Sequence, residues 1–149
     1  MLVFRIALSK YAGNLIASGR AARWNFDDVK VVYAAGSQSL ACLENVVHRS
    51  KLGLSVNFSV MHIEIPDGIA FDTIKASNLS KNWAKFEQMH ITQKIGSTWV
   101  KENKKAVLRI PSSIIQDEYN YLINPNHVDF LRIKIIKVAP FLFDERIKN

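Results

Sequence analysis

"ARWNFDDVKVVYAAGSQSLACLENVVH", residues 22–48, carries an arginine, a tyrosine and a glutamate through a stretch that is otherwise largely apolar. Residues 29–35, VKVVYAA, are rich in β-branched and aromatic side chains, which suit a buried pleated surface and predict a strand. Gly36 interrupts that run, Ser37 or Ser39 is available to cap a following helix, and Leu40, Leu43, Val46 and Val47 recur at helical spacing. The stretch therefore predicts a strand, a tight turn and a helix that runs to about residue 50. Three side chains stand out in that frame. Arg23 lies in the loop before the strand, from which its planar donor fork could turn inward to a phosphate or carboxylate. Tyr33, near the strand's end, offers a ring that either stacks on a ligand or packs in the core with its hydroxyl bonded. Glu44 falls at the edge of the stripe made by Leu40, Leu43 and Val47, where an inward carboxylate needs a partner or a task; the plain alternative is an exposed helical glutamate.

Outward from this unit, LVFRIAL (residues 2–8) reads as a first strand with Arg5 in its middle, and residues 55–65 as another, ending at a PDG turn. HITQKIGSTWVKEN predicts a helix with Ile91, Ile95, Trp99 and Val100 on one side, and with Gly96 tolerated at some cost. AVLRI is a short strand stopped by Pro111. The stretch from Pro111 to Phe130 has the Asn, Asp and Pro content of an ordered irregular loop, and FLRIKIIKV is a final strand with Leu131, Ile133 and Ile135 alternating against Arg132 and Lys134. Strands and helices mix without a βαβ rhythm, which predicts an α+β domain on a largely antiparallel or mixed sheet.

At 149 residues and 48% hydrophobic, the chain has the size of one domain (residues 1–149) able to bury a core without staples. A single cysteine, Cys42, cannot close an internal disulfide and suits a reducing compartment. The opening MLVFRIALSK is too short and too charged for a signal peptide, and no apolar run approaches the roughly 20 residues that span a bilayer, so the expected place is the cytoplasm. A net charge of +7 attracts polyanions of any kind, while the lysine runs read as solvated faces.

The chain has no GxGxxG, GxxxxGK[ST], HExxH or CxxC, and its four histidines, His48, His62, His90 and His127, are dispersed; no metal site is expected. Ser112 follows a strand end and a proline, where a hydroxyl is held in place either to cap a turn or to meet a ligand oxygen. It has no histidine in an obvious base position, which argues against a Ser-His-Asp hydrolase. Asn120 and Asn124 read as bonding their loop to itself.

Five blocks, FRI with Arg5, ARWN at 22–25, VVYAAGSQSLACLE at 31–44, TQKIGSTWV at 92–100 and IPSSIIQDEYNYLINPNHVDF at 110–130, resemble in order those of the RES domain. That family is named for arginine, glutamate and serine, and forms the toxin half of many bacterial toxin–antitoxin operons. The resemblance implies an ADP-ribosyltransferase-like fold and destruction of NAD at its nicotinamide–ribose bond, with NAD as substrate and no permanently bound cofactor. Position by position, it places the catalytic set on Arg23, Tyr33, Glu44 and Ser112. Arg5, Trp24, Asn25 and Asn120 join Arg23, Tyr33 and Ser112 around the ligand. One departure is Ala21 and Ala22 where the family usually has Gly-Gly before Arg-Trp, so the backbone approach to a ligand differs there.

On that resemblance Arg23 neutralises pyrophosphate, Tyr33 walls the nicotinamide or its ribose, Glu44 sets negative charge where the sugar turns cationic, and Ser112 orients the ribose. The implied partner is an Xre-like, helix-rich DNA-binding antitoxin, with a toxin homodimer within that complex and with neither membrane nor direct nucleic-acid contact. Two other readings stand beside it. One is an ADP-ribosyltransferase acting on a protein. The other is a basic nucleic-acid-binding module or ribonuclease, with Trp24, Tyr119 and Tyr121 as stacking candidates.

Overall fold

A computed structural model describes residues 1–48 and 57–147, and in it the opening stretch folds as strand, turn and helix. The strand β2 is Val32–Ala35 and the helix α1 is Gln38–His48. Ser37 is the residue that caps α1, its Oγ accepting from the Leu40 amide at 3.1 Å. The strand is shorter than residues 29–35 because the segment before it is taken up by a turn, described below, that carries Arg23.

Around this unit stand β1 (Leu2–Leu8), β3 (Phe58–Glu64), β4 (Phe71–Thr73), the helix α2 (Met89–Glu102), β5 (Val107–Pro111), β6 (Tyr119–Ile123) and β7 (Lys134–Phe141). They form one seven-stranded sheet in the order β4-β5-β6-β2-β1-β3-β7. Every neighbouring pair is antiparallel except β4 and β5. This is the α+β class with a mixed, mostly antiparallel sheet that the sequence predicts. The expected helix end at residue 50 and strand start at residue 55 lie outside the described residues.

Two expectations need correction, and one strand had none. The stretch after Pro111 is not an irregular loop throughout: Tyr119–Ile123 is a central strand, pairing with β2 on one side and β5 on the other. Its Tyr, Leu and Ile suit a strand, but flanking Asp, Asn and Pro hide so short a run. The last strand begins at Lys134, because residues 128–132 coil into a short 3-10 turn that leaves Leu131 exposed and Ile133 buried. β4, with only Phe71–Thr73, carries no legible pattern at all.

Alternation along the strands supplies both faces of the sheet. Val3, Val32, Ala34, Met61, Ile63, Val107, Tyr121 and Ile123 pack as one cluster. The opposite side is divided, Ile6, Ala35 and Val60 packing with Leu40 and Ala41 of α1, and Trp24, Leu108, Ile110 and Leu122 with Val100 of α2. α1 is not rotated as its apolar periodicity suggests, and α2 departs only at Ile91, since Ile95, Trp99 and Val100 pack on the core. In α1 the buried residues are Leu40 and Ala41, while Leu43 and Val47 are exposed; in α2 they are Thr92, Gly96, Ser97 and Val100, while Ile91 is exposed. α1 turns Ala41, Glu44, Asn45 and His48 toward a cavity, and α2 turns Thr92, Gly96 and Ser97 toward the backbone of residues 23–26.

Candidate active site

β1 and β2 are hydrogen-bonded neighbours at a single register pair, Phe4 opposite Ala35. Beyond it they fork. A cavity of about 530 Å³ opens there, lined by three consecutive residues of each strand, Phe4 to Ile6 and Tyr33 to Ala35. A pocket on one sheet face would see every second residue, so this one is a cleft cut between the strands. At the fork the Ile6 carbonyl, left without a strand partner on that side, accepts from Asn45 Nδ2 of α1 at 3.1 Å.

Glu44, one residue earlier, enters the same cleft. Its Oε1 accepts from Asn120 Nδ2 at 2.6 Å and from Ser112 Oγ at 3.1 Å, while Oε2 lies 3.2 Å from His48 Nε2 one helical turn on. Burial alone raises the carboxyl's pKa, but hydrogen bonds from His48, Asn120 and Ser112, together with the charge of His48, outweigh it and hold Glu44 below its ordinary value. The carboxylate is thus kept ionised while partly withdrawn from water.

Arg23 projects from a tight turn in which Ala22 and Asn25 exchange backbone hydrogen bonds. Trp24 anchors that turn, 2% exposed and tilted against Trp83 at 6.1 Å between ring centroids. Asn25 braces it, its Nδ2 donating to the carbonyls of Arg20, Phe26 and Val29, and its Oδ1 accepting from the Tyr33 hydroxyl at 2.6 Å. The same hydroxyl accepts from the Trp24 amide at 3.1 Å. From the other side α2 holds the turn: Thr92 Oγ1 donates to the Arg23 carbonyl, Gln93 Nε2 to the Ala22 carbonyl, and Ser97 Oγ accepts from the Phe26 amide.

With its backbone so fixed, the Arg23 side chain lines the cleft, and its Nε and Nη1 are buried without a hydrogen-bond partner among the described residues. Arg5 lines the same cleft from β1. Neither guanidinium makes an ion pair within the described residues. Burial lowers the pKa of both, at Arg23 against the opposing charge of Glu44, yet arginine stays protonated. Buried cations without carboxylate partners are costly, so a site that keeps two of them is built for an anion.

The predicted residues therefore divide. Arg5, Arg23, Trp24, Tyr33, Glu44 and Asn120 line the cleft. Ser112 stands behind Glu44, its oxygen spent on that carboxylate and on the amides of Ile114 and Ile115 at 3.1 Å each, so it positions Glu44 instead of facing a ligand. Asn25 is likewise committed to the turn and does not line the cleft, and Asn120, read both as bonding its own loop and as joining the pocket, lines the cleft and donates to Glu44. Sequence reasoning missed His48, Asn45 and the Thr92–Ser97 brace; the polar and small residues at i, i+1, i+4 and i+5 in TQKIGS were the available signal. Burial pushes the Tyr33 hydroxyl's pKa up, against the Trp24 amide and the Arg23 charge. Tyr33→Phe strips donor from Asn25 and acceptor from the buried Trp24 amide. We expect a loss of about 1–3 kcal/mol in urea unfolding with an unchanged m-value.

Comparison with known proteins follows the same lines. Residues 2–144 match the RES domain. A protein of Sphingobium sp. (strain YBL2) named Prs ADP-ribosylating toxin is 39% identical over 138 residues, 91% of this chain and 84% of that one. Proteins named Toxin Res from Yersinia enterocolitica and Pseudomonas putida are 29% and 32% identical, each over 99% of this chain and over 100% and 99% of their own lengths. The crystal structure of the M. tuberculosis MbcT–MbcA toxin–antitoxin complex superposes with a TM-score of 0.75 at 11% identity, covering 95% of this chain and 84% of that one, so the fold is shared. With a family match across nearly its whole length and relatives above 30% identity, the chain belongs to the RES domain family.

Proposed function

We propose that this protein is the toxin of a bacterial toxin–antitoxin pair and that it consumes NAD by breaking the bond between nicotinamide and ribose. The observation that carries this reading is one cleft holding two guanidinia without ion-pair partners and an ionised carboxylate fixed by three donors. NAD is the matching ligand in charge, with two phosphates at one part and a cationic nicotinamide at another. The cleft's volume of about 530 Å³ also falls within the usual range for small-molecule sites, roughly 300–1,000 Å³.

In this reading Arg23 and Arg5 grip the pyrophosphate, and the Tyr33 ring walls the nicotinamide end. Glu44 faces the ribose. As the C1′–N bond breaks, its electron pair leaves with nicotinamide, which becomes neutral, and positive charge collects on the ribosyl ring. A carboxylate already oriented and ionised stabilises that charge without reorganisation. Asn120 and Ser112 act through Glu44 by holding its Oε1.

The acceptor divides two versions of the chemistry. Water or inorganic phosphate gives net NAD destruction, whereas a protein side chain gives ADP-ribosylation, the version favoured by the name of the relative at 39% identity. Both release nicotinamide. Purified protein with NAD, with and without phosphate, should release nicotinamide; NAD labelled in its adenylate half, added to a cell extract, then shows whether label stays in small molecules or moves onto protein. Undiminished NAD under all these conditions sinks the reading. Arg23→Ala should raise KM for NAD about 10- to 100-fold, the worth of a charge-assisted contact, with little change in melting temperature. A collapse of melting temperature would mark Arg23 as structural instead.

The partner proposed with it is an Xre-like antitoxin, and a net charge of +7 suits acidic segments of such a protein. A toxin homodimer within the complex belongs to the same proposal.

A further inference from the structure

His48 ends α1 one turn beyond Glu44, lines the cleft, and keeps 60% of its side chain exposed. An exposed carboxylate–histidine pair at this spacing is ordinarily worth only a few tenths of a kcal/mol. Here the carboxylate is not a surface group. Its Oε1 is already claimed by Asn120 and Ser112, and the imidazole takes Oε2, so the ring is oriented by the residue proposed to face the ribose.

The other charged or titratable groups lining the cleft are Arg5 from β1, Arg23 from its turn, Tyr33 from β2 and Glu44 itself. The arginines stay protonated, Tyr33 is pushed up by burial with its hydroxyl bonded to Asn25, and Glu44 is held low. Histidine is the side-chain type that exchanges a proton near neutral pH, and only this one both meets the cleft and opens to solvent.

We propose that His48 takes the proton from the acceptor that attacks the ribosyl cation, Glu44 orienting the imidazole and stabilising the imidazolium. The proposal rests on the NAD-cleaving reading and adds the missing base to it. With water as acceptor, a lone pair of its oxygen forms the new bond to C1′. One O–H bond breaks, and the proton passes to the ring nitrogen not engaged with Glu44. ADP-ribose leaves, and the imidazolium returns its proton to solvent across its exposed edge. NAD and water thus give ADP-ribose, nicotinamide and one proton.

The test is a pH profile of nicotinamide release for the wild-type protein, His48→Gln and His48→Ala, the last with and without added imidazole. Glutamine can still donate to Glu44 but cannot titrate. We expect His48→Gln to lose about 10²-fold in kcat, to keep KM and melting temperature, and to lose the acid-side fall of the wild-type profile. Imidazole should restore part of the His48→Ala rate. A His48→Gln protein within about threefold of wild type and with the same profile overturns the proposal, since a positioned base is worth far more. In that case NAD loss that still depends on Glu44 leaves the cleavage reading standing, whereas a wild-type protein that releases no nicotinamide overturns both.

Discussion

Replacing Glu44 by glutamine is expected to lower NAD turnover by about 10²- to 10³-fold, the cost of removing one preorganised electrostatic group, while the protein stays folded. The substitution is nearly isosteric, and Asn120 Nδ2 and Ser112 Oγ can still donate to the remaining amide oxygen in place of Oε1. At the other oxygen an amide NH₂ would meet His48 Nε2, which then either accepts from it in the other tautomer or turns toward the solvent it already faces. What disappears is the negative charge at the ribose, and with it the carboxylate that orients His48. Nicotinamide release measured beside thermal unfolding separates the two effects, and turnover close to wild type would end the assignment of Glu44. A second measurement uses the direction of its pKa. Because the folded carboxyl is held below its unfolded value, its contribution to stability is fully present above the unfolded pKa, about 4.3 for glutamate, and is lost as pH falls through the lower folded value. Melting temperature should therefore fall more steeply below about pH 4.3 in the wild-type protein than in Glu44→Gln.

The strand–turn–helix of residues 29–48 was legible because β-branched residues, a glycine and a serine cap agree at every level there. The rotation of α1 was not. Periodicity ranks Leu43 and Val47 as inward, yet the helix turns Ala41, Glu44, Asn45 and His48 to the cleft and leaves those two exposed. A hydrophobic pattern reports where a side chain would be cheapest to bury, and a site overrides it where ligand chemistry needs polar groups inside. The helix α2 was legible, and its Ile95, Trp99 and Val100 pack as expected, but the buried polar and small side of Thr92, Gly96 and Ser97 was not read. Arg23 and Glu44 were picked out as charged residues in apolar company, but their convergence depends on a fork between β1 and β2, a long-range fact with no local signature. Ser112 was found as a residue, but its bond to Glu44, 68 positions away, has no local signature. β6 was missed because five residues between turn-forming flanks give periodicity too little to act on.

Gly96→Ala tests whether α2 sets the position of Arg23. In an open helix this change gains roughly 0.8–1.0 kcal/mol in helix propensity. At Gly96 an added Cβ would stand 1.8 Å from the Trp24 carbonyl oxygen and 2.9 Å from its carbon, so the obstacle is backbone and not the tip of a flexible side chain. That backbone has little freedom to yield. The Trp24 amide is bonded to Tyr33, the Arg23 carbonyl to Thr92 and the Ala22 carbonyl to Gln93. Either α2 backs away and breaks the bonds from Thr92 and Gln93, or the turn moves and carries Arg23 with it. Overpacking of this kind costs about 1–3 kcal/mol, and a displacement near 1 Å at a positioning group costs on the order of 10²-fold in rate. We therefore expect Gly96→Ala to lower both melting temperature and kcat/KM for NAD, the kinetic loss reaching up to that of Arg23→Ala but, unlike it, accompanied by a loss of stability. Gly13→Ala is the control, because a Cβ there meets nothing within 4 Å. A Gly96→Ala protein that melts higher and cleaves NAD like the wild type would show that the turn holds Arg23 without help from the helix.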